Sequence, residues 1–95
     1  MKNYKKIELK KSAEKFLKSR TRKEQVWLLS KIWKLPNGLD VVKMSGYQDR
    51  YRLRVGDYRV IFETKHETVI SDDDCIEFIL VILVLEIGNR GDIYK

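Results

Sequence analysis

Residues 50–62 read Arg-Tyr-Arg-Leu-Arg-Val-Gly-Asp-Tyr-Arg-Val-Ile-Phe, so Arg50, Arg52 and Arg54 recur at every second position and Arg59 follows the Gly56-Asp57 pair. Guanidinium groups are planar, permanently charged forks that match phosphate oxygens two at a time. A row of them can hold a phosphate. A second group of candidates lies in Gly88-Asn89-Arg90-Gly91-Asp92-Ile93-Tyr94, where Arg90 and Tyr94 are close enough in sequence to reach one spot. Glycine directly after an apolar run lets the chain turn sharply there.

The elements that would carry these groups follow from periodicity. Apolar and polar residues alternate on both sides of Gly56-Asp57, the pattern of two half-buried strands joined by a two-residue turn. With that turn, Val55 faces Tyr58, Arg54 faces Arg59, Arg52 faces Ile61 and Arg50 faces Glu63. Tyr51, Leu53, Val55, Tyr58, Val60 and Phe62 then form a core face, and the arginines occupy the other. Like charges directly across a ladder are destabilising. Arg54 opposite Arg59 makes sense where an anion normally lies between them, and phosphate is the natural one.

Other reactive residues form no site by spacing. His66 has no second histidine or cysteine near it in sequence, Cys75 is the single cysteine, and Asp72-Asp73-Asp74 lacks the spaced oxygen ligands of a calcium loop. Cys75 reads as a small, semi-buried residue at a strand start. Glycine-rich phosphate loops, nucleophile elbows and HExxH motifs are missing, and no metal or cofactor is expected.

The chain of 95 residues carries a net charge of +6, which favours an acidic partner. Residues 1–34 hold twelve cations against three acids, and residues 35–95 hold eight against eleven. The longest apolar run, Phe78 to Leu85, is too short to span a bilayer, and no secretion signal is present, so a cytoplasmic protein is expected, without membrane partners. Residues 1–95 read as one domain of α+β class. A strand over 3–9 precedes an amphipathic helix from Ser12 to about Ser19. Thr21-Arg22-Lys23-Glu24 is a capping box opening a second helix, with Val26, Leu29, Ile32 and Trp33 as its apolar stripe and Pro36-Asn37-Gly38 as its stop. A polar connection through Lys43 leads to the hairpin, and Ile76–Ile87 is a buried final strand. The expected order is βααβββ: two helices on one face of a mainly antiparallel four-stranded sheet.

The run Tyr51–Phe62, the apolar strand after it and the closing Gly-x-Arg-x-x-Ile-Tyr resemble the RelE/ParE superfamily of bacterial toxins, and the RelE branch most. The likeness extends over Leu39 to Gly46 and both helices. It implies a type II toxin that cleaves mRNA in the ribosomal decoding site, without metal, by attack of a ribose 2′-hydroxyl on the adjacent phosphate. Under that resemblance Arg59 holds the scissile phosphate, and Arg90 supplies or supports a proton for the leaving oxygen. Tyr94 stacks on a base or assists proton transfer. Arg54 and Arg52 bind phosphate and orient the RNA, with Arg50 and Lys43 as further phosphate contacts. Many relatives have histidine where this chain has Asn89, and arginine is a poor proton acceptor, so the residue set names no general base. The implied partners are an acidic antitoxin, in a hetero-oligomer with the toxin, and the ribosome with its mRNA. Trp27 and Trp33 are expected in the core or facing the antitoxin. The alternative on the same fold is a ParE-type toxin that inhibits DNA gyrase by binding, with no nuclease activity.

Overall fold

The computed structural model describes residues 2–38 and 40–89. Strand β1 (Lys2–Leu9) leads into helices α1 (Lys11–Lys18) and α2 (Arg22–Trp33), followed by β2 (Val41–Lys43), β3 (Arg50–Val55), β4 (Tyr58–Ile70) and β5 (Ile76–Asn89). They form one sheet in the order β1-β5-β4-β3-β2. β1 runs parallel to β5, and the other neighbours are antiparallel.

The sheet thus has five strands rather than the expected four. Val41–Lys43 pairs with Leu53–Tyr51 along the outer edge of β3. Three residues are too few to show a period, so this pairing is set by the neighbouring strand and not by a local signal. β4 also runs further than the apolar alternation suggests. Its polar half, Glu63–Thr68, is held by pairing with the apolar β5.

The capping box forms as read. The Glu24 amide donates to the Thr21 hydroxyl at 3.2 Å, and that hydroxyl donates to the Glu24 carboxylate at 2.9 Å. α1 has no side-chain cap. The Lys10 amide instead donates to the Val84 carbonyl at 2.9 Å, and the Ser12 hydroxyl donates to the Leu85 carbonyl at 3.0 Å. Both bonds pin the start of α1 to β5 at an irregularity in its ladder.

Ala13 and Leu17 from α1, Leu28 and Ile32 from α2, and Leu35 pack against Leu53, Val55, Val60, Phe62, Ile82, Val84 and Ile87 of the sheet. The stripe predicted on α2 is therefore corrected. Leu28 and Ile32 face inward, while Val26, Leu29 and Trp33 are exposed. Two apolar stripes share Ile32 on this helix, and sequence alone offers no reason to choose between them. β5 is covered by the helices only over its second half. Phe78, near its start, is 40% exposed.

Candidate functional site

The hairpin register is the predicted one at every position: Arg50↔Glu63, Tyr51↔Phe62, Arg52↔Ile61, Leu53↔Val60, Arg54↔Arg59 and Val55↔Tyr58. Gly56 has φ +57°, while Asp57 stays in the ordinary negative range. A positive φ at the first central residue alone is the type II′ pattern, whose twist suits adjoining strands. Trp27 from α2 lies over this turn. A Cβ on Gly56 would come within 2.6 Å of the Trp27 ring. Tyr58, the next residue after the turn, meets Phe16 and Trp27 edge to face at 6.0 and 6.2 Å and donates its hydroxyl to the Glu24 carboxylate. The turn is therefore clamped to α2 from below, which fixes the strand ends carrying Arg54 and Arg59.

An irregularity in β5 decides what stands beside the arginines. Ile61 pairs with Glu86 and Phe62 with Val84, leaving Leu85 as an extra residue. Such a bulge exchanges the faces of all that follows. Ile87 is thereby turned into the core, and Gly88 falls opposite Arg59. Read across the strands on the face away from the helices, one row is Arg54–Arg59–Gly88. The next is Arg52–Ile61–Glu86, and the third is Arg50–Glu63–Leu83. Successive rows are about 7 Å apart in a strand. Gly88 contributes no side chain to the first row.

The arginines are not equivalent. Arg54 is exposed and Arg52 half-buried. Arg59 is only 4% exposed. Arg50 is committed to Glu63: its Nη2 and Nε lie 2.8 and 3.1 Å from the same carboxylate oxygen, and its guanidinium sits 4.1 Å from the centre of the Tyr47 ring. That pairing neutralises Arg50 and raises its pKa further. Lys43 is separated from the group altogether. It pairs with Tyr51, whose ring stacks on Phe62, so its register position belongs to the opposite face. The structure brings together Arg52, Arg54 and Arg59. Arg90 and Tyr94 lie outside the described residues.

Glu86 is the residue that sequence reasoning missed. Strict alternation from Val84 would put it on the helix face, and only the bulge brings it beside the arginines. It is exposed, with no ion pair or hydrogen bond among the described residues. His66 sits further along β4, opposite Leu80. No group of three histidine, cysteine or acidic side chains able to hold a metal occurs among the described residues. Cys75 is half-buried just before β5. No described helix is long and apolar enough to cross a membrane.

No protein-family model matches the chain, and no curated protein matches it either. Solved structures do. A chain of the RelB-RelE antitoxin-toxin complex from Methanococcus jannaschii superposes with TM-score 0.62 at 25% identity, covering 92% of this chain and 94% of its own length. A chain of the intact E. coli RelBE toxin-antitoxin complex gives TM-score 0.61 at 16% identity, with 90% and 95% covered. The two helices on a mainly antiparallel sheet, with the arginine hairpin on the open side, are thus a RelE-like toxin fold.

Proposed function

We propose that this chain is the toxin of a toxin–antitoxin pair and that it acts as a ribosome-dependent endoribonuclease. The observation that carries the reading is the row Arg54–Arg59–Gly88, a paired cationic site beside a position with no side chain, on the sheet face free of helices. The likeness to chains of RelB-RelE complexes supports a toxin role and an antitoxin partner.

In this mechanism the exposed Arg54 contacts the scissile phosphate, the buried Arg59 opposite it adds fixed positive charge, and Arg52 orients the RNA from the adjoining row. Fixed positive charge suits a phosphorane, which gains negative charge as it forms and asks for little covalent help. The 2′-hydroxyl oxygen bonds to phosphorus while the bond to the 5′-oxygen breaks, giving a 2′,3′-cyclic phosphate and a 5′-hydroxyl. Arginine cannot accept the proton that the 2′-hydroxyl loses. Glu86, one row from Arg59 and in no salt bridge among the described residues, is the carboxylate that can. Arg90 and Tyr94 serve the leaving oxygen and the base, as the resemblance implies. The ribosome supplies the rest of the positioning.

Induction of the chain alone in a bacterium tests the reading. Growth arrest with loss of amino-acid incorporation and shortened transcripts is expected. Arrest with intact transcripts and a DNA-damage response would overturn it in favour of gyrase inhibition.

A further inference from the structure

One row beyond Arg59 on the open face of the sheet, the chain forms a concave pocket of about 470 Å³. Small-ligand sites usually measure roughly 300–1,000 Å³. Buried Ile61, which shares the second row with Arg52 and Glu86, gives the pocket an apolar lining together with half-buried Met44 and Leu85. Tyr47 also lines it and stays 47% exposed. Among the described residues its charged groups balance, Lys10 and Arg50 against Glu63 and Glu86. A pocket without excess positive charge does not suit a phosphate. A flat, uncharged ring with polar edges fits it, and a nucleobase is such a ring.

Three of these side chains form a preset unit. Arg50 donates through Nε and Nη2 to Glu63 Oε2 at 3.1 and 2.8 Å, and its guanidinium lies 4.1 Å from the centre of the Tyr47 ring. A unit already locked in place loses little freedom when a ligand arrives. Neither bond uses Glu63 Oε1, which accepts no hydrogen bond among the described residues. A half-buried carboxylate oxygen beside an aromatic ring is an acceptor waiting for an N–H donor.

We propose that this pocket receives the base on the 5′ side of the scissile phosphate and selects bases that carry an exocyclic amino group. The proposal rests on the ribonuclease reading above. Glu86, which takes the 2′-hydroxyl proton in that reading, borders the same pocket, so the ribose bearing that hydroxyl stands at its mouth. The base turns inward, rests on Ile61 and stacks on Tyr47, and its amino group donates to Glu63 Oε1. Cytosine, adenine and guanine have such a group. Uracil does not, and its single ring N–H is flanked by two carbonyls that a carboxylate repels.

Fluorescence anisotropy with labelled hexacytidylate and hexauridylate tests this on the purified chain, because the two bases match in size and differ in the amino group. Hexacytidylate binds about tenfold more tightly, the effect of one hydrogen bond to a charged acceptor. Glu63→Gln, whose amide can donate to a uracil carbonyl, brings the two affinities together. Tyr47→Ala weakens both about tenfold, and Tyr47→Phe keeps the native affinity, since stacking needs the ring and not the hydroxyl. Circular dichroism verifies the fold of each variant. Equal affinities of the native chain for the two oligomers, binding of neither, or a preference that survives Glu63→Gln overturns the proposal. Equal affinities in a chain that does cut mRNA during translation overturn the base pocket alone. A chain that prefers hexacytidylate yet leaves mRNA whole overturns the ribonuclease reading alone.

Discussion

Arg54 and Arg59 face one another across the β3–β4 ladder, yet one guanidinium is exposed and the other is almost fully buried. Cross-strand neighbours on one face have Cβ atoms roughly 5 Å apart, where like charges repel. An anion held between two such groups offsets that repulsion. Stability and function should therefore respond to Arg54 with opposite signs. Arg54→Gln is expected to raise stability by a few tenths of a kcal/mol to about 1 kcal/mol in denaturant titrations. The same change should weaken binding to an RNA oligonucleotide and lower the salt dependence of that binding by about one unit of slope. A fall in stability together with unchanged RNA binding would contradict the arrangement.

Glu63 engages Arg50 on the arginine face of the hairpin. The pair is partly solvent-exposed, with side chains 28% and 36% accessible, so Glu63→Gln should cost no more than about 1 kcal/mol. Releasing one more cation should steepen the salt dependence of RNA binding by about one unit of slope. Salt titrations of the two proteins on one oligonucleotide measure this directly.

Gly56 and Trp27 fix the hairpin turn to α2. Alanine at 56 would bring a methyl group to 2.6 Å from the indole and force an L side chain to hold φ +57°. Gly56→Ala is expected to destabilise the chain by about 1–3 kcal/mol, seen as a lower midpoint in urea. Trp27→Leu should partly offset the loss by removing the clash, leaving the backbone strain.

How far the sequence disclosed this site depends on which forces were local. The hairpin register, the capping box and the split of faces on β3 and β4 were readable, because each follows from spacing within a few residues. The bulge at Leu85 was not. Nothing in the apolar run Phe78–Leu85 marks where one residue drops out of the ladder, and that omission decides whether Glu86 or Ile87 meets the core. The same limit hid the edge strand Val41–Lys43 and placed Lys43 with the arginines, although its partner Tyr51 belongs to the core side. α2 was mis-rotated because Leu28 and Leu29 are chemically alike and only packing against the sheet distinguishes them.

Glu24 gives the fold a pH dependence of known sign. The Tyr58 hydroxyl first, then the Thr21 hydroxyl, donate to its carboxylate and hold its pKa below the ordinary glutamate value of 4.5. A depressed carboxyl pKa contributes stability that is complete above the unfolded value and lost as pH falls through the folded one. Tyr58→Phe should therefore flatten the decline of stability below pH 4.5 and reduce stability at neutral pH. Thermal unfolding from pH 7 downward compares the two curves.

Glu86 as proton acceptor predicts a kinetic signature rather than a loss of binding. Glu86→Gln should lower the rate of cleavage by about a hundredfold, within the range of general-base contributions, while RNA affinity stays the same or rises. A Glu86→Gln variant that cleaves at the native rate would remove Glu86 from the reaction.

The central claim is that the arginine face cuts mRNA held in the ribosome. A reconstituted translation reaction, with purified chain added and the 5′ ends of the message mapped, measures it most directly. New 5′-hydroxyl ends within the codon being decoded are expected from the native chain, and very few from Arg54→Ala, whose exposed side chain can be removed without opening the core. Messages that remain intact with the native chain, or cuts equally frequent with Arg54→Ala, would contradict it.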